Sequence, residues 1–131
     1  MLRLAVAASM LGLLALSGCR SGERPVAVRG KVTFQTQAVT EGTVQFNDAK
    51  TGHGAEAELG PDGSYQATLP PGGYSVVILP PLLMVESKGG PVDPQFKKVR
   101  NIPEKYRSTA TSGLAVAVGA NKAVHDFDMK P

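Results

Sequence analysis

The 131-residue chain has no tryptophan, one cysteine and two histidines. A single thiol excludes any disulfide within one chain, so packing and hydrogen bonding must hold the fold. His53 and His125 come with no HxxxH, HExxH or cysteine pair, and zinc asks for three or four close ligands. The G-x-S-x-G elbow and the S-x-x-K pair that present a serine nucleophile are also missing. Neither charge sign dominates: 14 Lys and Arg face 11 Asp and Glu, a net +3. A nucleic-acid protein concentrates basic residues into a patch, so that class is set aside. No window carries a convincing helical stripe, which argues against a bundle or a βαβ layout.

Long apolar runs are scarce too, and the one present is informative. Arg3 supplies a short positive region, and Leu4 to Leu16 is almost unbroken alanine, leucine, valine and methionine. That run is shorter than the ~20 residues a spanning helix needs and suits the core of a signal peptide. Leu16-Ser17-Gly18-Cys19 follows at the place where a cleavage site belongs. It resembles the bacterial lipobox, in which the cysteine becomes the lipidated first residue of the mature chain. The expected organisation is therefore a signal peptide over 1–18, a lipidated tether over 19–25 and one domain over 26–131. Cleavage would leave 113 residues and remove Arg3, bringing the net charge to +2. More than one acyl chain on Cys19 would hold the protein durably to a membrane. Arg20 after the cysteine, where retention at the inner membrane is associated with aspartate, favours the outer membrane by the same resemblance.

The mature chain alternates. Val28, Gly30, Val32 and Phe34 share one face of a first strand, with Gly30 making room for a neighbour or a bulge. Val44 and Phe46 mark a second strand and residues 55–59 a third. Pro61-Asp62-Gly63 has the composition of a tight turn. Tyr65, Ala67 and Leu69 then alternate with polar residues, Pro70 to Gly73 interrupts, and Tyr74 to Leu79 restarts with aromatic and β-branched residues. These two strands read as a hairpin. Ile102 to Arg107 suits one helical turn, with Pro103 at its start and Ile102 and Tyr106 facing inward. Residues 114–118 and 125–129 read as a closing hairpin. Strands every 8 to 12 residues with Gly/Pro turns predict an all-β antiparallel sandwich of about seven strands, with at most one short helical turn near 103–107.

Four stretches, VRGKVTF, PDGSY, PPGGYSVVI and IPEKYRSTATSGLAVAV, together resemble the carboxypeptidase regulatory-like domain, in the version found in small lipoproteins of planctomycete-type bacteria. The resemblance covers about Val26 to Met129. It implies a transthyretin-like (prealbumin-like) sandwich and an envelope location. It brings no catalytic residue and no cofactor.

Candidate sites are few. Residues 80–101 fit no regular element, yet Leu82, Leu83, Met84 and Val85 form an apolar patch there, which marks either a docking surface or a structural extension of the preceding strand. Lys97, Lys98, Arg100, Lys105 and Arg107 form a loose basic cluster, suited to anionic headgroups or an acidic polymer, or simply a solvated face. Asp126 and Asp128 alternate on the wet side of the last strand, where they keep it soluble; a calcium site or an acid–base pair is the alternative. Tyr65 and Tyr74 lie on inward parity, and Tyr106 is the tyrosine available to stack on a sugar. The expectation is a non-enzymatic, lipid-anchored envelope module, structural or protein-binding, with membrane contact through Cys19, an unidentified envelope protein or glycan as partner, and no nucleic acid. A carbohydrate-binding module is the alternative, and a small hydrolase the remote one.

Overall fold

The computed structural model describes residues 24–86, 88–119 and 122–131. The expected signal peptide and Cys19 lie outside them. Ten strands run in chain order: β1 (Val26–Phe34), β2 (Gln37–Ala38), β3 (Thr43–Asn47), β4 (Gly54–Glu58), β5 (Ser64–Leu69), β6 (Gly72–Leu79), β7 (Leu82–Val85), β8 (Asp93–Phe96), β9 (Leu114–Val118) and β10 (Phe127–Met129). The only helical element among the described residues is one 3-10 turn, Glu104–Arg107. The fold is an all-β sandwich. One sheet has β1 at its centre, with β5 and β2 on one flank and β10 on the other; the second has the order β4-β3-β6-β9.

The period-2 pattern reports which side chains turn inward, and it does so accurately. Val28 and Val32 from β1, Val44 and Phe46 from β3, Tyr65 and Leu69 from β5, Tyr74, Val76 and Ile78 from β6, and Phe127 and Met129 from β10 meet in one core. Phe46, Tyr65 and Phe127 make a row across it, with ring centroids 5.8 and 6.1 Å apart. Ile102 and Tyr106 cap one end, both buried as their positions predict.

Alternation does not report which strand is the neighbour, and both expected hairpins fail for that reason. β5 pairs with β1, whereas β6 lies between β3 and β9 in the other sheet. Pro70 and Pro71, with φ locked near −65°, cannot supply the positive-φ turn of a tight hairpin. They carry the chain from one sheet to the other instead. The closing pair divides likewise: β9 runs antiparallel to β6, and β10 runs parallel to β1 with Val32 opposite Phe127. β9 belongs to the sheet of β6 and β10 to that of β1, so the two strands are not hairpin partners.

Gly30 does make room, though for backbone. A Cβ there would stand 1.8 Å from the carbonyl oxygen of His125. That approach lets Arg29 bridge to Val124 and lets the His125 N–H donate to the Arg29 carbonyl at 2.8 Å. The Pro61-Asp62-Gly63 turn forms as predicted, closed by the Gly63 N–H on the Gly60 carbonyl at 2.9 Å, with Gly63 at φ 78°.

Strand directions define two poles. Val26, Leu69 and Gly72 lie at one, where β1 begins, β5 ends and β6 begins. β6 then runs its eight residues, roughly 25 Å, to Leu79 beside Thr43 at the other. The chain enters the sandwich at the first pole, and β7 leaves it at the second.

Candidate functional site

The segment 80–101, which the sequence left without regular structure, contains an antiparallel ribbon. β7 and β8 pair with each other in a two-stranded sheet of their own, Leu82 opposite Phe96 and Val85 opposite Asp93. Every residue of both strands is exposed. Met84 reaches 65% exposure and Leu82 56%, values foreign to a core strand of the same composition. The register sorts the side chains. Because directly paired residues share a face, Leu82, Met84, Pro94 and Phe96 stand on one side and Leu83, Val85, Asp93 and Gln95 on the other. The first face is wholly apolar, and Leu83, Val85 and Val92 extend the apolar surface around the ribbon. The patch is therefore neither an extension of β6 nor a cover over the sandwich.

The ribbon's base is fixed to the sandwich. Pro80 is fully buried, and the Lys97 ammonium reaches both carboxylate oxygens of Glu41, at 2.7 and 2.9 Å. This ion pair is about half exposed, so its role is placement more than stability.

The basic cluster does not act as a unit. Lys97 is committed to Glu41. Lys105 lies over the Tyr106 ring, 5.0 Å from its centroid, and donates to the Pro131 carbonyl. Arg107 turns back on its own chain, donating through Nε and Nη2 to the Ile102 carbonyl at 3.0 and 2.7 Å. Lys98 and Arg100 are left exposed beside the ribbon, without a hydrogen bond or ion pair among the described residues.

The tyrosines are core. Tyr65 and Tyr74 are buried as their parity predicts, and Tyr106 is buried as well. Their hydroxyls are spent internally: Tyr65 donates to the His125 carbonyl, Tyr74 to the Pro70 carbonyl at 2.7 Å, and Tyr106 accepts the Lys130 N–H at 3.0 Å. Burial pushes the Tyr65 hydroxyl well above the usual phenol range, and the nearby Asp126 carboxylate adds to the shift. None of the three offers a flat aromatic face for a sugar.

The carboxylates of the last strand are likewise occupied by the fold. Asp126 accepts the Lys31 N–H at 2.8 Å, and Asp128 accepts the Thr33 hydroxyl at 2.7 Å and the Thr36 N–H at 3.0 Å. They stitch the last strand to β1, a stronger role than the solubility expected of them. The Thr36 N–H and then the Thr33 hydroxyl hold the Asp128 carboxyl below the usual value. His53 is exposed in the β3–β4 loop, while His125 is buried with its Nε2 unpartnered among the described residues. No group of three or more potential metal ligands forms among the described residues.

The sequence signalled β7 by its apolar run. It gave no sign of β8, because Asp93-Pro94-Gln95-Phe96 has neither alternation nor β-branched residues.

No family model and no curated protein matches the sequence. Two solved structures share part of the backbone arrangement. A DUF3823 family protein from Parabacteroides merdae is 15% identical with a TM-score of 0.42, over 82% of this chain and 46% of that one. The major pilin subunit of Bacillus cereus is 10% identical with a TM-score of 0.45, over 82% of this chain and 30% of that one. The chain thus spans less than half the length of either, and likenesses this distant do not bear on its function.

Proposed function

We propose that the protein is a non-enzymatic, lipid-anchored β-sandwich of the cell envelope that works as a protein-interaction module. The observation that carries this reading is the β7–β8 ribbon, which holds four consecutive apolar residues in solvent on a base fixed by Lys97 and Glu41. Contiguous exposed apolar surface on a folded domain marks a contact site. The two poles support the arrangement: the chain enters the sandwich at one, after Pro25, and the ribbon leaves from the other. The lipobox and the carboxypeptidase regulatory-like resemblance fit an anchored, non-catalytic domain, which we place at the outer membrane.

The test is affinity capture from native envelopes. Wild-type protein is expected to retain a specific envelope protein that Leu83→Asp loses while keeping the wild-type circular dichroism spectrum and melting temperature. Retention of the same proteins by both forms, or of none by either, overturns capture of a different envelope protein by the ribbon.

A further inference from the structure

We propose that the outer edge of β7 pairs with the same edge of a second copy of this chain, joining two ribbons into one four-stranded sheet. The proposal rests on the reading of the ribbon as a docking surface and names its occupant.

Backbone alternation sets the geometry. The Lys97 N–H donates to the Pro81 carbonyl at 2.8 Å, so Pro81 and Lys97 form a hydrogen-bonded pair. In an antiparallel ladder these pairs alternate with non-bonded ones. Leu83/Gln95 and Val85/Asp93 are then the bonded pairs within the ribbon, and Leu82 and Met84 turn their N–H and C=O groups outward. Among the described residues no turn or loop hydrogen bond uses those outward groups. Pro94 stands opposite Met84, at a non-bonded position where its missing N–H costs the ribbon nothing. The same proline deprives the outer edge of β8 of a donor, as proline does on protected edges. β7 has no proline, no charge and no bulge. One edge of the ribbon is closed to pairing and the other is open.

That open edge is self-complementary. A two-fold axis beside Leu83 sets Leu82 against Met84 of the second copy and Met84 against Leu82, each pair exchanging both outward hydrogen bonds. Leu83 then faces Leu83 in a non-bonded pair. The apolar face of Leu82, Met84, Pro94 and Phe96 continues across the joint into its own copy. No like charges oppose each other, since β7 is neutral and Glu86 falls beside Pro80 of the second copy. The apolar side chains flanking the β7 edge, Leu82, Leu83 and Met84, are 47–65% exposed, and each gains cover from its counterpart across the joint.

Cysteine crosslinking reads the register. The full chain carrying Cys19→Ala has no other thiol. In detergent, under a mild oxidant, Leu83→Cys in this background is expected to form a disulfide dimer readily, since non-bonded antiparallel pairs bring Cα atoms to about 4.5 Å, within disulfide reach. Val85→Cys lies on the same face but about 13 Å from its own copy and is expected to stay monomeric. Met84→Pro removes one outward N–H per chain without touching the ribbon's own ladder. It is expected to weaken association measured by sedimentation by roughly tenfold to a hundredfold, with an unchanged fold by circular dichroism. Equal crosslinking of the two cysteine variants overturns the proposal, as does a wild-type chain that sediments as a monomer at about 100 μM. A monomer that still captures an envelope protein through Leu83 overturns self-pairing alone and leaves the docking role standing.

Discussion

The Asp128 carboxylate accepts the backbone N–H of Thr36 at 3.0 Å, joining the last strand to the β1–β2 turn 92 residues earlier in the chain. Gln35 and Thr36 both sit at positive φ, 47° and 69°, the geometry of a two-residue hairpin turn usually filled by glycine or asparagine. Thr36 is β-branched and poorly suited to it. Three bonds hold the turn in place: the one to Thr36, the Thr33 hydroxyl on the same carboxylate oxygen, and the Gln35 N–H on the Met129 carbonyl at 2.9 Å.

Asp128 should therefore make stability pH-dependent. Its folded-state pKa is depressed, so its contribution is present above the ordinary value of 3.8 and is lost as pH falls below it. Asp128→Asn should lower the melting temperature at pH 7, and the gap from wild type should shrink in acid. Asp48 and Asp62 are shifted in the same direction by local hydrogen bonds, so the comparison isolates Asp128 only as a difference between the two proteins. A gap independent of pH would refute the linkage.

Gly30→Ala places a methyl group against the His125 carbonyl, the same oxygen that accepts the Tyr65 hydroxyl. Backbone cannot yield as a side-chain tip does, so segment 123–126 must leave β1. The expected cost is about 1–3 kcal/mol, read in urea unfolding. Increased near-ultraviolet signal change around Tyr65 should accompany it.

Gly63→Val forces a β-branched residue to φ 78° and sets its Cβ 2.7 Å from the Val32 carbonyl oxygen. That carbonyl accepts the Val39 N–H, and the Gly63 carbonyl accepts the Val32 N–H, so the strain falls on a junction of three segments. A loss of about 1–3 kcal/mol is expected. An unchanged melting temperature would mean that the turn differs from the one described.

Cys19→Ala tests the anchor independently of the fold. The variant should appear in the soluble fraction and fail to incorporate radiolabelled palmitate, with the wild type found in membranes. Label in the variant would overturn the lipobox reading.

The sequence by itself determined the inward face of nearly every strand, the Gly60–Gly63 turn, the helical turn at Glu104–Arg107 and the location of Ile102, Tyr65 and Tyr74 in the core. These follow from local rules: period-2 burial, the φ that glycine and proline permit, and the parity of aromatic positions. Only the tertiary structure decided the partners. Alternation is the same whether β10 pairs with β9 or with β1, and backbone ladders join residues whose separation no local pattern encodes. The aspartates of the last strand are exposed as their parity predicts, but that they are also acceptors for β1 and its turn was not legible, and the basic cluster read as one patch when Glu41, Tyr106 and Ile102 divide it. The ribbon shows both sides of this limit. Leu82 to Val85 announced an apolar strand by composition, but its exposure and its open edge depend on β8, whose proline fits only because Lys97 and Pro81 fix the register.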